Sequence, residues 1–266
     1  MAQSRKYEND LLKLLRKPSR ELEALGSHWD GEVERIRHER HRLRNKIQSE
    51  TPDDPILSET DLFSPIDSAG DERLHTRALA YLLDWRKPHG FGTQILRSVL
   101  EAMPHGSGAR KVLSLLGHMN DLSFVDAEFL YCDIWIEIHA ESHAALIIIE
   151  NKVGAPEGQD QLPSYEKKAN KWLKRSPRAK SELLLVYLTP DGKEPSSPKW
   201  LRFSYLQIAS ALRKVWLESQ HAADRQCGRQ WLKLYIASIT RGVLQIDPER
   251  LHATPGNIRT YLGEER

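Results

Sequence analysis

Residues 133–152 read Asp-Ile-Trp-Ile-Glu-Ile-His-Ala-Glu-Ser-His-Ala-Ala-Leu-Ile-Ile-Ile-Glu-Asn-Lys. They constrain the fold because they set charges inside sequence that otherwise reads as core. Ile, Leu and Trp dominate, which predicts two strands. The first, Tyr131 to His139, alternates: Asp133, Trp135 and Glu137 fall on one face, Ile134, Ile136 and Ile138 on the other. The second, Ala144 to Lys152, is an apolar run ending Glu150-Asn151-Lys152, with Glu150 and Lys152 on the same face.

A hairpin turning at Glu141-Ser142 would set Asp133 directly across from Glu150, Cβ atoms roughly 5 Å apart. Two opposed carboxylates destabilise a sheet unless a cation lies between them. A hard divalent ion with oxygen ligands suits that place. Lys152 shares the face. The set is arranged for metal-assisted phosphodiester hydrolysis, the ion binding phosphate and water and the lysine orienting or deprotonating the water. The bland alternative is an ion network at the end of a solvent-facing strand.

Val153 to Gly158 reads as a loop, and a helix is expected after it with Asp160 as N-cap and Pro163 in the first turn. Gln161 and Tyr165, four apart, share a helix face and can bond a phosphate or a base. Lys167, Lys168, Lys171, Trp172, Lys174 and Arg175 follow, with Arg178 and Lys180 beyond. Such a run attracts a polyanion or is a solvated helix face.

Together these residues resemble the PD-(D/E)XK nuclease superfamily, in the branch with Asp on one strand, Glu-x-Lys on the next and Gln-x-x-x-Tyr on the following helix. Three further stretches carry the likeness: Glu72-Arg73-Leu74-His75-Thr76, Leu79-Ala80-Tyr81-Leu82-Leu83-Asp84 and Pro88-His89-Gly90-Phe91-Gly92. Tyr187-Leu188-Thr189-Pro190-Asp191-Gly192 is similar to a family strand end. The likeness spans roughly residues 70–245.

The resemblance implies an α/β, restriction-endonuclease-like core: a central mixed sheet flanked by helices, with helical N-terminal and C-terminal additions. It implies Mg2+ or Mn2+ on Asp133 and Glu150, with the Asn151 backbone carbonyl as a further ligand. Lys152 would act on the attacking water, and Glu72 would be an accessory acid. Gln161 and Tyr165 would position substrate, with Lys168 and Lys171 on the same helix. Relatives often carry a basic and a small residue before the Asp, whereas this chain has Tyr131-Cys132, so contacts there differ. Glu128 is a competing acid, ranked below Glu72.

The chain has 266 residues, 29 % charged and 39 % hydrophobic, with net charge +2. That suits a globular domain with a substantial core and neither requires nor excludes nucleic acid. No apolar run is long enough to cross a membrane, no signal-type core follows the N-terminus, and Cys132 and Cys227 form no CxxC pattern. A cytoplasmic protein is the simple expectation. Residues 1–50 read as a helical arm (helices over 4–17 and 20–48), with Arg35, Arg37, Arg40, Arg42 and Arg44 beside a thin stripe of Val33, Ile36, Leu43 and Ile47. Residues 51–70 read as a linker, 71–250 as the nuclease domain and 251–266 as a tail. Helices are expected over 71–84, 91–103, 108–117, 160–175, 204–218, 224–243 and 256–265, and strands near 122–130, 131–139, 144–152 and 182–189.

There is no P-loop, GxSxG elbow, Cys-His signature or HExxH spacing. His75 and His89 read as structural. The leading expectation is a metal-dependent nuclease acting on DNA; the resemblance alone suggests a setting in defence against foreign DNA or in DNA repair. The alternatives are a nucleic-acid-binding or assembly subunit that uses the site weakly or not at all, and an RNA-cleaving nuclease. A homo-oligomer or an activating partner protein is compatible with each.

Overall fold

A computed structural model describes residues 31–175, 180–221, 225–247 and 253–264. The helix expected over 4–17, the start of that over 20–48, and Arg178 lie outside them. The chain divides into two compact units, Met1–Thr51 and Pro52–Arg266. In the first, residues 31–50 form a helix, α1. Pairs three residues apart, Glu32–Arg35, Glu34–Arg37 and Glu39–Arg42, brace its surface. Leu43 and Ile47 of the apolar stripe are buried, while Val33 and Ile36 are exposed.

Among the described residues the second unit is built on five strands: β1 (Phe124–Ala127), β2 (Ile134–His139), β3 (His143–Asn151), β4 (Lys180–Thr189) and β5 (Leu201–Ser204). They lie in sequence order in one sheet. β1–β2 and β2–β3 pair antiparallel, β3–β4 and β4–β5 parallel, so the sheet is mixed, as expected. Its helices are α2 (Glu72–Leu83), α3 (Gln94–Glu101), α4 (Ala109–Leu115), α5 (Gln161–Arg175), α6 (Tyr205–Glu218), α7 (Gln226–Ser238) and α8 (Pro255–Leu262).

Period-2 alternation divides the core. Trp135, Leu146, Ile148, Leu185 and Tyr187 pack on one face with Leu162, Tyr165 and Ala169 of α5. Residues of opposite parity, such as Ile136, Ile147 and Val186, are also buried, and α4 packs against β2, β3 and β4. With both faces covered, Ala144–Ile149 of β3 are apolar without a break, as the middle of a central strand should be.

Several boundaries depart from expectation. The strand expected over 122–130 shrinks to β1, because Phe129–Tyr131 form a tight turn with left-handed Glu128, Leu130 and Tyr131. Tyr131 is thus in a turn and not in β2. β5 was not foreseen; four residues running straight into a helix leave too little alternation to read. The helix expected over 224–243 is α7 followed by a π turn, Ile239–Val243.

Residues 52–70 form no long element, yet they do not behave as a free linker. Asp54 is buried, accepting from Arg213 Nε (2.7 Å) and the Tyr261 hydroxyl (2.7 Å). Asp61 accepts from the Phe63 and Ser64 amides (both 2.8 Å) and lies 3.4 Å from Arg241 Nε. The segment is thereby fastened to α6, α8 and the π turn. Residues expected as a tail likewise include α8, whose Ile258 and Tyr261 are buried.

Two glycines permit the helical layer. A Cβ on Gly228 of α7 would lie 2.0 Å from the His89 carbonyl oxygen, and one on Gly242 would lie 2.3 Å from that of Ala69. Both carbonyls belong to loops bordering α2, so α7 and the π turn approach those loops through bare backbone.

Candidate active site

The hairpin has the expected register: Ile134 pairs with Ile149 and His139 with Ala144, and the Ala140 amide donates to His143 O (2.9 Å). One step beyond Ile134, Asp133 reaches the end of β3, where its Oδ2 accepts from the Asn151 amide (2.7 Å). Glu150 and Lys152 point to the α5 side. Glu150 is fully buried. Its Oε1 lies 2.7 Å from Lys152 Nζ and accepts from Gln161 Nε2 at 2.5 Å. Its Oε2, also buried, has no hydrogen-bond partner among the described residues.

Glu72 enters from the first turn of α2, a helix capped by Asp71 through the Arg73 and Leu74 amides. Its Oε2 accepts from the Val153 amide (2.9 Å) and its Oε1 from Lys152 Nζ (3.4 Å). Lys152 therefore lies between Glu150 and Glu72. Gln161 also donates to the Tyr165 hydroxyl (3.1 Å). The structure thus gathers Asp133, Glu150, Lys152, Glu72, Gln161 and Tyr165 around the end of β3.

Electrostatics follow from burial. Burial first, then the Asp133 charge, pushes the Glu150 carboxyl up to about 8, while Lys152 pulls the other way. Asp133 is also raised, chiefly by burial, against the lowering effect of the Asn151 amide. Burial opposes the Lys152 charge, but bonding to Glu150 and the fields of Glu150, Glu72 and Asp133 hold its pKa above the ordinary lysine value. Two half-compensated carboxylates and an orphaned buried oxygen have the chemistry of a hard-cation site. Among the described residues no three His, Cys, Asp or Glu side chains converge as a metal cage, which leaves Asp133 and Glu150 as the paired carboxylates at the end of β3. That fits an ion which keeps several of its own waters, as Mg2+ does.

The side chain of Asn151 does what sequence reasoning missed. It points to the opposite face, where its Nδ2 donates to Thr76 Oγ1 (2.9 Å) and Glu72 O (3.3 Å), and its Oδ1 accepts from the Tyr205 hydroxyl (2.8 Å). Three elements, α2, β3 and α6, meet at one buried amide. The only available signal was the threonine four residues after Glu72.

Other expectations sort themselves. Asp160 has φ +56°, not the extended backbone of a capping residue. Lys168 lines a cleft of 690 Å³ with Lys152, Gln161, Tyr165 and Tyr131. Lys171 is exposed outside that lining. The Glu128 carboxylate pairs with Arg73 and Arg77, each at 3.5 Å, while its amide donates to Asp133 O (2.9 Å). His75 is buried, bonds Ala69 O (2.9 Å) and is kept neutral by burial. His89 donates to Asp84 O and accepts from the Phe91 amide, which fixes the Pro88–Gly92 turn. Both histidines are structural.

A family model described as the PD-(D/E)XK nuclease superfamily matches residues 60–236. No curated protein and no solved structure matches the chain.

Proposed function

Because the chain belongs to the PD-(D/E)XK nuclease superfamily, we propose that it is a metal-dependent nuclease that hydrolyses phosphodiester bonds in DNA. The observation that carries this reading is the pairing of buried Glu150, with its partnerless Oε2, with Asp133 beside Lys152. Asp133, Glu150 and the Asn151 carbonyl would hold Mg2+ or Mn2+. Such an ion, when bound, activates a water and offsets charge on the phosphate.

The chain's own groups do the rest. Lys152 donates N–H to the attacking water or a phosphate oxygen, adding positive charge where negative charge develops. Glu72 holds Lys152 from the far side and takes the Val153 amide, fixing where the ammonium points. Gln161 fixes the Glu150 carboxylate and, with Tyr165, faces the incoming strand. The water oxygen bonds to phosphorus as the bond to the leaving sugar oxygen breaks; the water gives up one proton to solvent, and the leaving oxygen takes one up from solvent. Defence against foreign DNA or DNA repair is the proposed setting, on family likeness alone.

The test is cleavage of labelled single-stranded DNA, duplex DNA and RNA in Mg2+, Mn2+ and EDTA. Wild type should cut DNA only with metal, and Lys152→Ala should lose at least about 100-fold. Cutting that persists in the variant would sink the site. RNA-only cutting would correct the substrate. Metal-independent binding without cutting would favour a binding subunit.

A further inference from the structure

The turn before Asp133 carries a feature that hydrolysis alone does not require. Tyr131 is 86 % exposed. A lone exposed ring needs no explanation, but three observations set this one apart. First, its backbone is held at φ +64°, next to Leu130 at +52° and close to Glu128 at +62°. Left-handed backbone costs a non-glycine residue about 1–2 kcal/mol, and a free surface turn would relax or use glycine.

Second, the turn is pinned from both sides. Arg73 and Arg77 hold Glu128, and Lys168 of α5 donates to Leu130 O (2.5 Å). The Lys168 ammonium lies 5.4 Å from the Tyr131 ring centroid and 4.6 Å from that of Tyr165. It backs the tyrosine while most of the side chain stays open to solvent. Third, Tyr131 lines the same 690 Å³ cleft as Lys152 and Gln161. A row of touching groups, Tyr131, Lys168, Tyr165 and Gln161, thus runs from the open ring to Glu150.

We propose that Tyr131 is a preset stacking platform for an unpaired base of the substrate strand beside the scissile phosphate. The preferred substrate is then single-stranded or locally unpaired DNA. Base faces are covered in a duplex; single strands are bound by aromatic stacking combined with cationic groups along the backbone. Lys168 supplies the cation here, and the pinned turn removes the cost of ordering the ring upon binding. The inference rests on the hydrolytic reading above for the DNA substrate and the place beside the scissile phosphate; stacking itself has its own readout.

The experiment compares wild type, Tyr131→Ala and Tyr131→Phe on a single-stranded oligonucleotide and a fully paired hairpin. Tyr131→Ala should raise KM for the single strand about 10-fold, change kcat little and shrink the preference over the hairpin. Tyr131→Phe, which keeps the ring, should recover most of the loss. In parallel, a strand bearing 2-aminopurine is titrated against Lys152→Ala and against Lys152→Ala with Tyr131→Ala. Quenching by the first protein alone supports stacking. Equal KM values for Tyr131→Ala and wild type, or equal quenching by both proteins, overturn it. Tyr131-dependent quenching without cleavage by wild type would sink hydrolysis and leave stacking standing. Cleavage indifferent to Tyr131 would do the reverse.

Discussion

Glu150 has no exposure to solvent, one oxygen bonded to Lys152 and Gln161, and the other without a hydrogen-bond partner among the described residues. Without a cation, folding buries its charge beside that of Asp133. Its pKa therefore rises from the ordinary carboxylate value of 4.5 to about 8. An acid whose folded pKa is raised stabilises the fold when protonated; that contribution is complete below about pH 4.5 and is lost as pH climbs toward 8. In EDTA, thermal stability should fall across that window, and Mn2+ should restore it at the alkaline end. Glu150→Gln should flatten the pH dependence in EDTA and abolish the Mn2+ response, as read by melting temperature against pH. A wild-type curve that is flat between pH 5 and 8 would mean the carboxylates are compensated without an ion. Asp133, Glu150 and Lys152 were legible because a hairpin register follows from local period-2 alternation. The left-handed turn at Tyr131 was not, since nothing local marks tyrosine for that backbone.

At the level of elements, the end of β3 is positioned by a clamp built from three of them. Asn151 bonds Thr76 of α2 and Tyr205 of α6, residues 75 and 54 positions away in the chain. Because the amide is fully buried, removing one partner leaves a polar group without compensation. Thr76→Val, nearly isosteric, should cost about 1–3 kcal/mol in denaturant unfolding. It should also weaken metal-dependent activity, because Asn151 is flanked by Glu150 and Lys152. An unchanged unfolding midpoint would show that water replaces the hydroxyl. Neither partner could be read from sequence: side chain to side chain bonds across such separations exist only once helices pack on the sheet. By contrast α2, α5 and α6 were evident from 3.6-residue periodicity, which is local.

Across the Pro52–Arg266 unit, buried ionic contacts tie the segment of residues 52–70 to the C-terminal helices. Asp54 is 1 % exposed and is shared by Arg213 and Tyr261, far along the chain. Asp54→Ala would strand Arg213 and should cost about 3–5 kcal/mol, seen as a lower unfolding midpoint. Pairing it with Arg213→Met should recover part of that loss, and strict additivity of the two would argue against a coupled pair. A linker reading of 51–70 was natural from its prolines and acids, because acids read as solvated until their arginines are known. The α/β class, the family, the hairpin and the carboxylates that face each other across it are all written in local sequence. These depend on alternation and on short motifs, within reach of neighbours along the chain. Tertiary structure alone decided which carboxylates are buried, which arginines meet them, that Asn151 anchors the strand and that Tyr131 opens onto the cleft. Burial and long-range partners come into being only when distant segments exclude water together.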